Sequence, residues 1–252
     1  MQPHVAQIYR YPVKGLSPEP MAEVSLEPGQ TLPHDRVYAI ENGPGRFDPL
    51  TPRHLPKIAF LMLMRDERLA TLKSAFDDAT HRLTISRDGK QVAAGDLGTP
   101  LGRQMIEQFI AAYMAPSLRG APRIVSAEGH SFSDVDAKCV HIVNLETVRE
   151  LGRIMGRDLD PLRFRANVYV TGIQPWSEFE WIGRSVTMGD VELEPFKRTV
   201  RCDATNVDPM TGARDTSIPA ALQRTQGHSD LGIYAMVRRG GTIKGGDELT
   251  VG

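Results

Sequence analysis

The chain has only two cysteines, Cys139 and Cys202, in 252 residues. No disulfide framework can organise it, and the expected compartment is a reducing one, the cytoplasm. Long apolar runs are missing as well. The longest, Ile58 to Met64, is seven residues, against roughly 20 needed to cross a bilayer. The first 15 residues hold no apolar segment of the kind a signal peptide carries. Neither sign of charge is in excess: 30 Lys and Arg face 31 Asp and Glu, a formal net charge of -1. That balance excludes a protein that holds nucleic acid by neutralising phosphates. No CxxC, HExxH or Walker loop is present, and no internal repeat or low-complexity tract appears.

What remains is a globular composition, 40% hydrophobic and 24% charged. Gly 23 and Pro 18 together are about 16% of the chain, above the roughly 12% of average usage. They punctuate short β-branched or alternating runs, the pattern of a strand-rich protein with tight turns. Strands are expected at Val5–Tyr11, Ala22–Leu26, Val37–Glu41, Ile58–Met64, Arg82–Ser86 and Gln91–Ala94, the last two joined at Asp88-Gly89 as a hairpin. Further strands are expected at Cys139–Val143, Asn167–Thr171, Ser185–Met188, Val191–Val200, Gly232–Arg238 and Glu248–Val251. Helical spacing of Leu101, Met105, Phe109, Ala112 and Tyr113 predicts a helix capped by Thr99 and opened by Pro100. A second helix is predicted after Asn144, which can cap it, with Leu145, Val148, Leu151 and Met155 as its apolar stripe. The fold class is thus mostly β with a few helices (α+β), in two β-rich domains, 1–118 and 119–252.

Chemistry concentrates at strand ends. Cys202 closes the segment Lys197-Arg198-Thr199-Val200-Arg201-Cys202-Asp203, where neighbouring cations favour the thiolate that a nucleophile or metal ligand requires. The same residue also reads as an ordinary, partly buried cysteine. Cys139 lies on an alternating strand and reads as a small buried hydrophobe, with His141 beside it as a structural histidine. Val207-Asp208-Pro209-Met210-Thr211-Gly212 is a turn signature five residues past Cys202. It is either a plain surface turn or a rigid loop beside the thiol. Arg163 and Arg165 flank Phe164 before a strand, and Lys14 and Arg36 follow Tyr11-Pro12-Val13 and Asp35. Such cations can be solvated or can grip a phosphate. His228-Ser229-Asp230 is a weak signal for a hydrolase triad, because adjacent residues point apart and triads assemble across a fold.

Taken together, Tyr-Pro-Val-Lys, Asp-Arg, Arg-Phe-Arg-Ala-Asn and Arg-Cys-x-x-Thr-x-Val-Asp-Pro-x-Thr-Gly resemble the MOSC superfamily with its preceding N-terminal β-barrel domain. The likeness is strongest to the mitochondrial amidoxime-reducing component and its bacterial relatives. The resemblance implies an N-terminal β-barrel-like domain followed by a MOSC β-barrel domain, and a molybdenum cofactor (molybdopterin) in the cleft between them. It implies Cys202 as molybdenum ligand and catalytic centre. Lys14 and Arg36 would bind the terminal phosphate of the cofactor, and Arg165, Asn167, Arg201 and Asn144 would stand near the pterin. The implied activity is reduction of N-hydroxylated or related N-oxygenated small molecules, with electrons from a separate donor protein and no nucleic-acid or membrane partner. Two other readings stand beside it: a sulfur carrier or cofactor-handling protein using a persulfide on Cys202, and a non-catalytic anion-binding protein. The chain departs from the family pattern at Gly15 and Val200, where relatives often carry serine.

Overall fold

The computed structural model describes residues 2–43 and 45–252. Alternation of side chains sets most of its strands, in chain order β1 (His4–Arg10), β2 (Glu19–Met21), β3 (Glu23–Leu26), β4 (Ala39–Asn42), β5 (Lys73–Asp77), β6 (Arg82–Arg87), β7 (Lys90–Asp96), β8 (Pro122–Val125), β9 (Val140–Asn144), β10 (Val168–Thr171), β11 (Val186–Met188), β12 (Val191–Val200), β13 (Asp230–Arg239), β14 (Gly241–Lys244) and β15 (Leu249–Val251). Strand β12 shows the rule: Val191, Leu193 and Pro195 are buried while Glu192 and Glu194 are half-exposed. Three helices accompany them, α1 (Pro100–Tyr113), α2 (Leu145–Met155) and α3 (Ile218–Gln226). None is long and apolar enough to cross a membrane among the described residues.

Eight strands form one curled half-barrel sheet in the order β15-β11-β12-β13-β9-β10-β1-β2. Strands β1 and β2, from the start of the chain, therefore hydrogen-bond into a sheet otherwise built after residue 139. Val5, Ile8, Val140, Ile142, Val168, Leu193, Ile233 and Ala235 pack its main core. Strand β9 is buried along its whole length, because its other face lies under α2 and α3, where Val143 meets Leu151, Leu222 and Leu231. A second core joins β5–β7 and α1 through Leu83, Ile85, Ile106 and Ile110. The expected hairpin closes at Asp88 and Gly89, both at positive φ (51° and 74°), as a two-residue turn of the mirror-image type requires.

Caps form where the sequence signals them. Gly102 N–H donates to Thr99 Oγ1 at 3.1 Å, and Glu146 N–H to Asn144 Oδ1 at 2.9 Å. The segment Ile58–Met64 corrects the strand expected there. It opens as a single 3₁₀ turn, Lys57–Ala59, and then turns back, with Arg65 N–H donating to Met62 O and Asp66 accepting from Met62 N–H. Its apolar side chains are shared between two cores, Phe60 in one and Leu61 and Leu63 in the other, so no ladder is needed to bury them.

A fully buried carboxylate sits under the start of α2. Glu178 accepts from Thr147 Oγ1 at 2.9 Å and from Asn144 Nδ2 at 3.0 Å, with no cation in hydrogen-bond reach among the described residues. Burial pushes its carboxyl up to about 6 from an ordinary 4.5, against the opposing hydrogen bond from Asn144. A raised carboxyl binds its proton more tightly in the folded state. Its contribution is complete below about pH 4.5 and is lost as the pH rises through about 6. Linkage over that interval amounts to about 2 kcal/mol. Urea titrations at pH 4.5 and 7.5 should show wild type losing about 2 kcal/mol more than Glu178→Gln across that step. Equal losses in the two proteins would show that the carboxyl titrates normally.

Candidate functional site

The sheet and the first lobe face one another across a cleft that collects most of the singled-out residues. Lys14, Arg36, Arg165, Asn167, Arg201 and Cys202 all line it, with Gly15, Asp134, Cys139, His141, Thr199 and Tyr234. Residues 11–14 and 35–38 zip together to present the first-lobe cations. Lys14 N–H donates to Tyr38 O at 2.8 Å, Arg36 N–H to Tyr11 O at 2.7 Å, and Tyr11 N–H to the Asp35 carboxylate at 2.8 Å. The fully buried Tyr11 ring is a platform for two guanidinium groups, Arg36 at 4.5 Å and Arg165 at 4.3 Å from its centroid. Both arginines are held at positive φ, 55° and 51°. Left-handed backbone at a non-glycine residue is strained, and such strain gathers at functional sites.

The cations are not equivalent. Arg36 is ion-paired to Asp35; burial alone would lower its guanidinium, but Asp35 holds it above its ordinary value. Lys14 is buried, donating to Phe132 O at 2.8 Å and to Asp134 at 2.5 Å. Burial lowers its ammonium despite Asp134, while Asp134, half-exposed, is held well below the usual carboxylate range: loss of solvent would raise it, but Lys14, with Lys57 and Arg36, holds it down. Arg165 has no carboxylate partner and no side-chain hydrogen bond among the described residues, and burial lowers it. Arg201 donates through Nη2 to Phe164 O at 2.8 Å, yet its buried Nε has no partner among the described residues. The hydroxyl of Thr199, buried on the same wall, is also unpartnered. Donors left unsatisfied in a cleft are costly unless something else accepts from them.

Cys202 is a free, half-buried thiol at the end of β12. Its backbone carbonyl accepts from Thr205 N–H at 3.0 Å and Thr205 Oγ1 at 2.9 Å, which fixes the turn that follows. The Val207–Gly212 turn, five residues past Cys202, packs against the first lobe rather than lining the cleft. Gly212 N–H donates to Asp208 O at 2.9 Å, Lys73 Nζ to Pro209 O at 2.8 Å, and Arg214 Nη2 to Met64 O at 2.8 Å, so the loop clamps onto the first lobe. Cys139 is buried, as expected, and burial pushes its thiol up to about 12.

Two sequence-singled polar residues have other occupations. Asn144 lies outside the cleft, fully buried; it caps α2 and donates to Gln174 O at 2.9 Å and to Glu178 at 3.0 Å. Asn167 borders the cleft, but its amide ties strands together, accepting from His141 N–H at 3.1 Å and donating to Tyr9 O at 3.2 Å. Sequence reasoning missed the Tyr11 platform, the Asp134 partner of Lys14 and the contact between His141 and Arg201. Only Tyr11 carried a signal, its place in Tyr-Pro-Val-Lys.

Gly15 explains its own departure. Its φ is +88°, and a Cβ there would stand 2.9 Å from Leu61 O. Gly15→Ser is expected to destabilise the protein by about 2 kcal/mol rather than add a useful hydroxyl. Chemical denaturation checks this; an unchanged midpoint would mean the backbone there adapts freely.

Residues 129–250 match the model of the MOSC domain, and residues 2–113 that of the MOSC N-terminal beta barrel domain. A molybdenum cofactor sulfurase of Caenorhabditis briggsae is 22% identical over 239 residues, 92% of this chain and 33% of that protein. The mitochondrial amidoxime reducing component 2 of Bos taurus is 28% identical over 126 residues, 45% of this chain and 37% of that protein. The matches thus span about a third of the length of these curated relatives. Among solved structures, the YuaD protein of Bacillus subtilis aligns over 100% of this chain and 96% of its own, at 14% identity and a TM-score of 0.46.

Proposed function

The chain belongs to the MOSC superfamily, and from that premise we propose that it is a molybdenum-cofactor oxidoreductase that reduces N-hydroxylated or related N-oxygenated compounds. The observation that carries this reading is one cleft holding a free thiol together with donors that lack acceptors: the Arg165 guanidinium, Arg201 Nε and Thr199 Oγ1. A soft thiolate suits molybdenum, and a phosphate-bearing pterin would satisfy the unpaired cations. The residues therefore fit the group. Cys202 would ligate the metal, Lys14, Arg36 and Arg165 would hold the phosphate, and Arg201 would face the pterin side.

When bound, the cofactor supplies the two-electron chemistry that takes oxygen from the substrate nitrogen. The chain's own part is to bind, orient and exclude water. Tyr11 fixes the planes of two guanidinium groups. The electrons would come from a separate donor protein.

Two observations favour a second reading, a sulfur carrier using a persulfide on Cys202. Asp134 and Asp35 already occupy Lys14 and Arg36, which leaves a weaker phosphate clamp, and the sulfurase likeness runs over most of the chain. Elemental analysis of protein from a cofactor-competent host separates the two. About one molybdenum per chain is expected. No molybdenum, with cyanide-labile sulfur on Cys202, would establish the carrier, and neither would leave a non-catalytic anion binder.

A further inference from the structure

We infer that His141 is the positioning residue that links the cation beside Cys202 to the cations at the opposite end of the cleft, acting as a neutral ring protonated on Nδ1. The role rests on the cofactor reading above, but the geometry stands without it. His141 is the second residue of β9, with 5% of its surface exposed. Its backbone is pinned on both sides by Asn167, which accepts from His141 N–H and donates to His141 O at 2.8 Å.

The ring has a built seat. Across the β9–β13 pairing it faces Tyr234, with ring centroids 5.0 Å apart. Gly232 lies at φ +82°, and a Cβ there would come within 3.1 Å of His141 Nε2. The missing side chain leaves room for Ile142 O and Val143 Cγ2, at 2.7 and 2.8 Å from that point, and for the imidazole. Arg201 Nη1 stands 3.3 Å from Nε2. A guanidinium only donates, so Nε2 must present its lone pair. The ring proton then sits on Nδ1, 3.4 Å from Arg165 O. That carbonyl also accepts from Arg36 Nη2 at 3.0 Å, because the left-handed backbone of Arg165 turns it toward both. One hydrogen-bonded chain therefore runs Arg201, His141, Arg165 O, Arg36, from the thiol end to the first lobe.

The charge state follows from what faces the ring. Burial, then Arg201 and Arg36, push His141 well below its ordinary value, against the hydrogen bond to Arg165 O and the charge of Asp134. A second proton would turn Nε2 into a donor aimed at a donor and would break the chain at its centre.

Two measurements on the cofactor-free protein test this. Long-range ¹⁵N–¹H correlation spectra should show His141 neutral and Nδ1-protonated from about pH 5.5 to about pH 8. A charged ring or an Nε2–H tautomer overturns the inference. In calorimetric titration with inorganic pyrophosphate, His141→Leu should weaken binding about tenfold, whereas His141→Gln, which keeps an acceptor, should stay within about threefold. In an Arg201→Met background, His141→Leu should cost less than it does in wild type, because one end of the chain is already cut; full additivity would show that His141 does not act through Arg201. Absence of pyrophosphate binding by wild type would count against the phosphate-clamp reading, while the tautomer spectrum would still decide this one. Metal content bears only on the cofactor.

Discussion

Cys202→Ala, purified from a cofactor-competent host, is expected to carry less than about a tenth of the wild-type molybdenum and to reduce a hydroxylamine or amidoxime at least about a thousandfold more slowly, some 4 kcal/mol in barrier. Its thermal midpoint without cofactor should fall by no more than about 3 °C, as a truncation worth under about 1 kcal/mol in a chain of this size would give. The contrast follows from where the residue's structural work is done. The turn after β12 is held by the Cys202 carbonyl, accepting from both the amide and the hydroxyl of Thr205, and a backbone carbonyl survives any side-chain change. The half-buried thiol is free, so the fold loses little packing with it. Cys202→Ser sharpens the test, because it keeps the shape and replaces a soft ligand with a hard one. Metal analysis and turnover on the same preparations are the measurements. Undiminished reduction by the alanine variant would remove Cys202 from the chemistry altogether.

The site was legible in sequence wherever a local motif did the positioning. Lys14 and Arg36 lie at ends of segments whose pairing is set within about 25 residues of chain, and Cys202 ends a strand whose alternation is plain. What stayed hidden was pairing over long distances. Asp134 reaches Lys14 across 120 positions, and nothing near Asp134 announces it. Asn144 shows a different limit. Read as a cap and, through the resemblance, as a cofactor residue, it is placed by the structure at the cap, where its amide is used up on Glu146, Gln174 and Glu178. The Ile58–Met64 run reads as a strand in sequence because an apolar stretch bounded by polar residues states that it will be buried, not in which backbone. Helix α3 went unread although Pro219 and Gly227 bracket it, since nine residues carry only two turns of periodicity.

Arg163→Met should destabilise the protein by about 3 to 5 kcal/mol at neutral pH, the toll of removing one partner from a buried ion pair. Arg163 is 4% exposed and donates to Asp208 at 3.0 Å and to Asp215 at 2.9 Å, with Thr205 O at 3.5 Å. Methionine fills much of the same space, so packing is not the issue; two carboxylates lose the cation between them. Asp215 keeps Arg157, and Asp208 keeps the N–H groups of Met210 and Thr211, which sets the loss toward the lower end of that range. The pH dependence gives the mechanism a signature. Burial would push both carboxyls up, but the Thr211 and Met210 amides at Asp208, and Arg163 and Arg157 at Asp215, hold them below the ordinary 3.8. Depressed carboxyls add stability that is present above about pH 4 and disappears as the pH falls through their folded values. The gap between wild type and Arg163→Met should therefore be widest near pH 7 and narrow toward pH 3, as read from urea midpoints at both. A gap that stayed constant would mean the variant suffers from lost packing rather than lost charge. Because the same guanidinium reaches Thr205 O, the turn carrying Cys202 should loosen along with the 207–215 loop, and hydrogen exchange at Thr205 and Val207 should rise in step with the lost stability.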